Sequence, residues 1–180
     1  MTDGAKLTIN GPGTIIGKGD AGQGSVIVVQ GTDSVLTLNG PTITGGTGAK
    51  GPEGFNNGGQ KVGGGIYVYD KAKLDMRNGK ITGNTANAGG GVFVWTHSFF
   101  TMEGGEISSN TATTHEGGGI FFDGKDGHIT AGLITENSTG TTVDWGGGGI
   151  YINNNGSMRI DSARITKNTA NALGGGIAGC

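Results

Sequence analysis

Gly63-Gly64-Gly65-Ile66-Tyr67-Val68-Tyr69, followed by Leu74-Asp75-Met76 and Ile81-Thr82-Gly83-Asn84, is the stretch whose reading decides the fold. Apolar residues alternate with others at period two in Ile66, Val68 and again in Leu74, Met76, which is the signature of a strand with one buried face. The opening phrase recurs at Gly89 to Val92, Gly117 to Ile120, Gly147 to Ile150 and Gly174 to Ile177, with its aliphatic residues spaced by 26, 28, 30 and 27. The closing phrase, Ile-x-x-Asn, recurs in constant phase at Ile107 to Asn110, Ile134 to Asn137 and Ile165 to Asn168. Two independent phrases therefore agree on one repeat of roughly 26 to 31 residues, a period that belongs to solenoids.

Inward positions follow from the same alternation: Val92, Val94, Phe100, Met102; Ile120, Phe122, Ile129; Ile150, Ile152, Met158, Ile160; and Ile81, Ile107, Ile134 and Ile165 in a third short segment. Nothing between the strands reads as a crossover helix, so each strand pairs in parallel with its equivalent one coil away. The expected fold is an all-β, right-handed parallel β-helix with three short strands per coil. With coils about 4.8 Å apart, some seven would form a rod roughly 30 Å long. Leu7-Thr8-Ile9-Asn10-Gly11-Pro12 and Leu36-Thr37-Leu38-Asn39-Gly40-Pro41 match each other and align with Leu74-Asp75-Met76-Arg77-Asn78-Gly79. Residues 1–180 thus read as one domain, with degenerate coils and a long loop (47–62) in 1–62 and regular coils over 63–180. The run stops inside a further unit at Ile177-Ala178-Gly179-Cys180 with no polar capping repeat, so further repeats of a longer polypeptide are expected.

Composition fits a thin core. Of 180 residues, 33% are hydrophobic, and 42 are glycines that fall in blocks at the corners, where positive φ or close approach is needed. Asn-Gly pairs at 10, 39, 78 and 155 suit the same corners. The asparagines Asn84, Asn110, Asn137 and Asn168 are expected to stack as an amide ladder along the rod. Asn137-Ser138-Thr139 and Asn155-Gly156-Ser157 also match the glycosylation sequon, but the ladder is the expected role of Asn137. Twelve basic against 14 acidic residues, with no basic run, argue against a nucleic-acid partner. No apolar run is long enough to insert in a membrane. A single cysteine, Cys180, excludes an internal disulfide.

The two phrases resemble the GGA[ILV] and FxxN repeats of chlamydial polymorphic outer-membrane proteins and, more loosely, the passenger repeats of autotransporter adhesins. The resemblance covers residues 63–180, with glycine in place of the alanine and isoleucine in place of the aromatic. It implies a right-handed β-helix that is displayed on a bacterial surface or secreted, serving as a spacer and adhesive surface for glycans or host proteins. The wider fold group includes pectate lyases, so a polysaccharide lyase or hydrolase is the alternative; fold alone does not choose.

Candidate sites come from two features. Outward positions on the first strand are Tyr67, Phe93, Phe121 and Tyr151, joined by Tyr69 and Trp95, an aromatic stripe expected to be exposed and able to stack on sugar faces. The competing reading is structural: rings stacked in register to stiffen the sheet, or buried beneath a segment outside this chain. The second feature is the corner before each glycine block, where 47–62, 111–116 and 139–145 vary in length. There His115, Glu116 and Asp144 form a conceivable acid–base group, with Trp145 as a sugar platform, although solvated loop charge is the default reading. No metal or other cofactor is expected: Asp123-Gly124-Lys125-Asp126-Gly127 lacks EF-hand spacing, and the glycine blocks lack the calcium β-roll pattern. The row Thr44, Thr82, Ser108, Thr135, Thr166 is a hydroxyl ladder. Its neighbour Thr42, Lys80, Glu106, Leu133, Arg164 breaks the flat threonine array of an ice-binding face and supplies a Lys80–Glu106 cross-strand pair.

Overall fold

The computed structural model describes residues 1–18, 24–140 and 145–180, and in it the chain winds as a parallel β-solenoid of about six turns. Among the described residues there is no helix. The first ladder stacks six strands, Ile27–Gln30, Ile66–Tyr69, Val92–Val94, Ile120–Phe122, Ile150–Ile152 and Ile177–Gly179. Its register is the one the repeat dictates, with Ile66 opposite Val92, Val92 opposite Ile120, and Ile120 opposite Ile150. A second ladder pairs Leu36 with Leu74 and Leu74 with Phe100, and a third pairs Ile81, Ile107, Ile134 and Ile165 in sequence.

The coil differs from the expected three strands in two ways. Val35–Thr44 and Lys73–Thr82 each run through the bend between the second and third ladders as one ten-residue strand. A fourth ladder of two-residue strands, Thr85–Ala86, Thr111–Ala112, Ser138–Thr139 and Thr169–Ala170, follows the asparagine corner. Two residues are too few to display alternation, which is why sequence periodicity passes over them. Asn39 pairs with Asn78, not with Arg77, because a bulge inserts one residue after Met76 and the register recovers by Thr42–Lys80.

Inward rows fill the bore. Ile66, Val68, Leu74, Met76, Ile81, Val92, Val94, Phe100, Met102, Ile107, Ile120, Phe122, Ile129, Ile134 and Ile150 are all fully buried. At the ends the cover thins, and Ile152, Met158, Ile160 and Ile165 are only partly buried.

The glycine block has a division of labour. Its first residue takes the left-handed conformation, as at Gly117 (φ 72°), while the next two bring the backbones of adjacent coils into contact. A Cβ on Gly118 would lie 2.4 Å from the Gly148 carbonyl oxygen, and one on Gly119 2.5 Å from that of Gly149, well inside van der Waals distance. The asparagine ladder closes the same corner. Asn84 Nδ2 donates to Asn110 Oδ1 (3.0 Å), Asn110 Nδ2 to Asn137 Oδ1 (2.9 Å) and Asn137 Nδ2 to Asn168 Oδ1 (2.9 Å). Asn137 is fully buried, which leaves its sequon inaccessible.

The hydroxyl row stands in register, Ser108 Oγ donating to Thr82 Oγ1 at 3.2 Å and Thr166 Oγ1 to Thr135 Oγ1 at 3.2 Å. Beside it Lys80 Nζ meets Glu106 Oε1 at 2.8 Å.

Candidate functional site

The outward face of the first ladder carries the aromatic row in the expected register: Phe93 lies beside Tyr67 on one side and Phe121 on the other, and Phe121 beside Tyr151. Phe93 and Phe121 stack at 4.5 Å between centroids, nearly parallel at 10°. Tyr67 stacks on Tyr69 at 4.5 Å, and Phe93 on Trp95 at 5.7 Å. The Phe93–Phe121 stack joins adjacent strands and stabilises their pairing, while the other two stack rings along one stretch of chain.

The expected exposure of this stripe is corrected. Tyr67, Phe93, Phe121 and Tyr151 are 3%, 0%, 1% and 3% exposed. Their cover comes from within the chain: the long loop 47–62 folds back over the face as a strap. Ala49–Lys50 and Lys61–Val62 pair antiparallel at its base, and Phe55 at its tip inserts its ring edge-on among Phe93 (5.2 Å), Phe121 (5.3 Å), Trp95 (5.8 Å) and His115 (5.6 Å). Burying such a ring contributes roughly 1.5–3 kcal/mol, which is what holds a glycine-rich loop down. Tyr69 and Trp95 stay half-buried at the margin.

Beyond the strap the face opens into a groove of about 410 Å³, lined by Phe55 and Asn56 on the strap, Trp95, His115, Glu116, Phe121 and Tyr151 on the floor and walls, and Trp145, Asn153, Asn154 and Cys180 at the far side. Trp145 is 45% exposed there. His115 is held in place from two directions: Asn56 Nδ2 lies 3.2 Å from its Nδ1, and Thr139 Oγ1 donates to its carbonyl oxygen at 2.6 Å. Glu116 is buried, and that burial pushes its carboxyl above the usual glutamate range, against the opposing pull of its own backbone N–H and of His115. Burial likewise pushes the Tyr151 phenol up, aided by the Cys180 thiol 3.0 Å from its oxygen.

His115, Glu116 and Trp145 are thus brought together with Trp95, Phe121 and Tyr151 in one groove, whereas Tyr67 and Phe93 lie beneath the strap. Asp144, the second carboxylate of the expected acid–base group, lies outside the described residues. Asp123 takes no part in the groove; it is buried and accepts hydrogen bonds from Thr96 and from Asn153 Nδ2 (2.9 Å), which ties three successive turns together. Among the described residues no three His, Cys, Asp or Glu side chains converge as a metal site. Among the described residues no helix is long and apolar enough to cross a membrane.

Sequence reasoning passed over Phe55, Asn56, Asn153 and Asn154. The only signal for Phe55 is that it is the one large aromatic side chain in a loop otherwise rich in glycine and polar residues, and such a side chain needs cover. Comparison of the chain with protein-family models, curated proteins and solved structures returns no match. The function must therefore be argued from the groove itself.

Proposed function

We propose that this protein is a non-enzymatic, adhesin-like repeat segment of a bacterial cell-surface or secreted protein, a rigid spacer whose groove beside the strap binds a glycan or a host protein, with a glycan the better fit. One observation carries this reading: two tryptophans, Trp95 and Trp145, line the same groove as His115, Glu116, Asn56, Asn153 and Asn154. Aromatic faces for the apolar side of a pyranose, with amides and a carboxyl for its hydroxyls, make up the mixed lining that small-ligand sites use. The repeat phrases that resemble those of chlamydial outer-membrane proteins and autotransporter adhesins support the surface setting.

A glycan array screened with the wild-type chain, then with Trp95→Ala and Trp145→Ala, tests the proposal. Binding that falls at least tenfold in either variant supports it; glycan binding that survives both replacements, or an array and a panel of host surface proteins that give no signal, overturns it.

One observation favours a second reading. Glu116 is a buried carboxyl held toward its protonated form inside the groove, as a general acid of a polysaccharide-degrading enzyme would be. Release of reducing ends or unsaturated product from uronate or neutral polymers, lost in Glu116→Gln, would replace the binding proposal with this one.

A further inference from the structure

The groove does not end at Trp95. The same side chain also lines a second hollow of about 370 Å³ with Tyr69, Asp70, Lys71, Thr96 and His97, at the corner between the first and second ladders. From there Lys71 leads into two more, one of about 300 Å³ with His97, Phe99 and Lys125, the other of about 320 Å³ with Lys6, Lys73 and Ser34. Shared lining residues, Trp95 and then Lys71, thus link the tryptophan groove hollow by hollow to a row of turn residues around the corner.

That row is orderly for a conformational reason. Asp33, Lys71 and His97 occupy equivalent turn positions, each two residues before the register-matched Val35, Lys73 and Phe99, and all three adopt the left-handed backbone (φ 62°, 64° and 63°). Equal backbone conformation stacks them one coil apart, about 4.8 Å. Lys125 lies beside this row, one residue ahead of Asp126, which pairs with Phe99; Gly124 fills the position equivalent to His97.

Cations on this corner are free of ion pairs, as Lys18, Lys50, Lys61 and Arg164 are elsewhere among the described residues. Arg77, Lys80, Arg159 and Lys167 each sit 2.7 to 3.7 Å from a carboxylate elsewhere on the rod. Among the described residues, Lys6, Lys71, Lys73 and Lys125 form no ion pair, although Asp33, Asp70 and Asp126 share the corner. Buried beneath the same corner, the hydroxyls of Ser34 and Ser98 have no hydrogen-bond partner.

We infer that the ligand is an acidic glycan, whose rings stack on Trp95 and whose carboxylate or sulfate groups are taken by Lys71, Lys73 and Lys125. This deepens the glycan reading and rests on it. Unpaired ammonium groups beside an aromatic platform, two on the coil of Lys73 and one two coils further on, match a polymer that carries anionic groups along a chain of sugar rings, whereas a neutral glycan leaves them idle.

The test measures affinity for three size-matched oligosaccharides, one sulfated, one uronate and one neutral, and for a single-stranded oligonucleotide, at two salt concentrations. Acidic sugars are expected to bind at least tenfold tighter than the neutral one and to weaken with salt; the sulfated and uronate arms tell which anion is preferred. Lys71→Gln/Lys73→Gln/Lys125→Gln should lose that preference yet keep neutral-sugar binding, and Asp33→Asn, which removes a repelling carboxylate from the row, should tighten acidic binding. Equal affinity for acidic and neutral sugars, or an oligonucleotide that binds as tightly as either acidic sugar, overturns the inference while leaving the glycan reading intact. Absence of any sugar binding overturns both.

Discussion

Asn110 Nδ2 and the backbone N–H of Asn110 converge on one acceptor, Asn137 Oδ1, at 2.9 and 3.1 Å, and Asn84 repeats the arrangement on Asn110 Oδ1. Each amide thus satisfies the backbone of the coil before it, and its own second hydrogen reaches a strand carbonyl, Ile81 O in the case of Asn110 (2.9 Å). Replacing Asn110 with Ala removes the acceptor of two buried donors, the backbone N–H and the side-chain amide of Asn84. At about 1–3 kcal/mol for each unsatisfied group, Asn110→Ala should cost roughly 3–5 kcal/mol in chemical denaturation. Asn39, whose amide reaches Asn10 Oδ1 at 3.1 Å on the exposed surface, supplies the control: Asn39→Ala should move stability by less than about 0.5 kcal/mol.

The glycine blocks make a contrasting pair of substitutions. Gly119 has ordinary negative-φ backbone, so only contact opposes a side chain there, and its Cβ would sit 2.5 Å from Gly149 O. Gly13 has nothing within 4 Å of its would-be Cβ. Gly119→Ala should lower Tm by many degrees or prevent folding. Gly13→Ala should leave Tm unchanged or raise it slightly, since alanine restricts the unfolded chain by about 0.4–1 kcal/mol. Equal thermal shifts in the two variants would contradict the close-contact role of the block.

Removing the strap's anchor separates local from global stability. The tip of 51–60 is held by the Phe55 ring and by Asn56 against His115. Phe55→Ala removes contacts worth about 3–5 kcal/mol in an ordinary core, but here the strap can lift without unwinding the rod. Limited proteolysis should then cut within 51–60 many times faster than in the wild type, Trp95 fluorescence should shift to the red, and global Tm should fall far less than in the bore variant Phe100→Ala. A Tm loss equal to that of Phe100→Ala would mean that strap and rod unfold together.

These three cases also mark where the sequence was informative. The repeat phase placed Asn84 to Asn168 in a ladder, and Tyr67, Phe93, Phe121 and Tyr151 on one outward row, because both follow from identical positions in successive coils. What covers the row could not be read that way. Phe55 occurs once, in a loop without period, and its partners lie two or three coils downstream, so no neighbouring residue announces the contact. The lysine corner was hidden for a related reason: Lys71 and Lys125 are far apart in sequence and look like isolated solvated charges until the turns stack. The bulge after Met76 escaped because apolar alternation is silent once a strand turns polar.

Titration distinguishes two glutamates by sign. Burial raises the Glu116 carboxyl, so the folded state holds that proton more tightly than the unfolded one, and stability falls as pH rises from the ordinary glutamate value to the raised one. Glu106 is the reverse: the hydrogen bond from Lys80, with help from Ser108, lowers it, so its contribution is present above the ordinary value and is lost as pH falls through the lowered one. Glu116→Gln should therefore be as stable as the wild type or more so at pH 7, with the difference closing toward pH 4. Glu106→Gln should be slightly less stable at pH 7, by under about 1 kcal/mol because the Lys80 pair is partly exposed, and should approach the wild type in acid. Denaturation midpoints of the three proteins between pH 3.5 and 8 check both signs at once. A Glu116→Gln deficit that is largest at neutral pH would show that the carboxylate has a stabilising partner in the groove, which would in turn weaken the case for Glu116 as a proton donor.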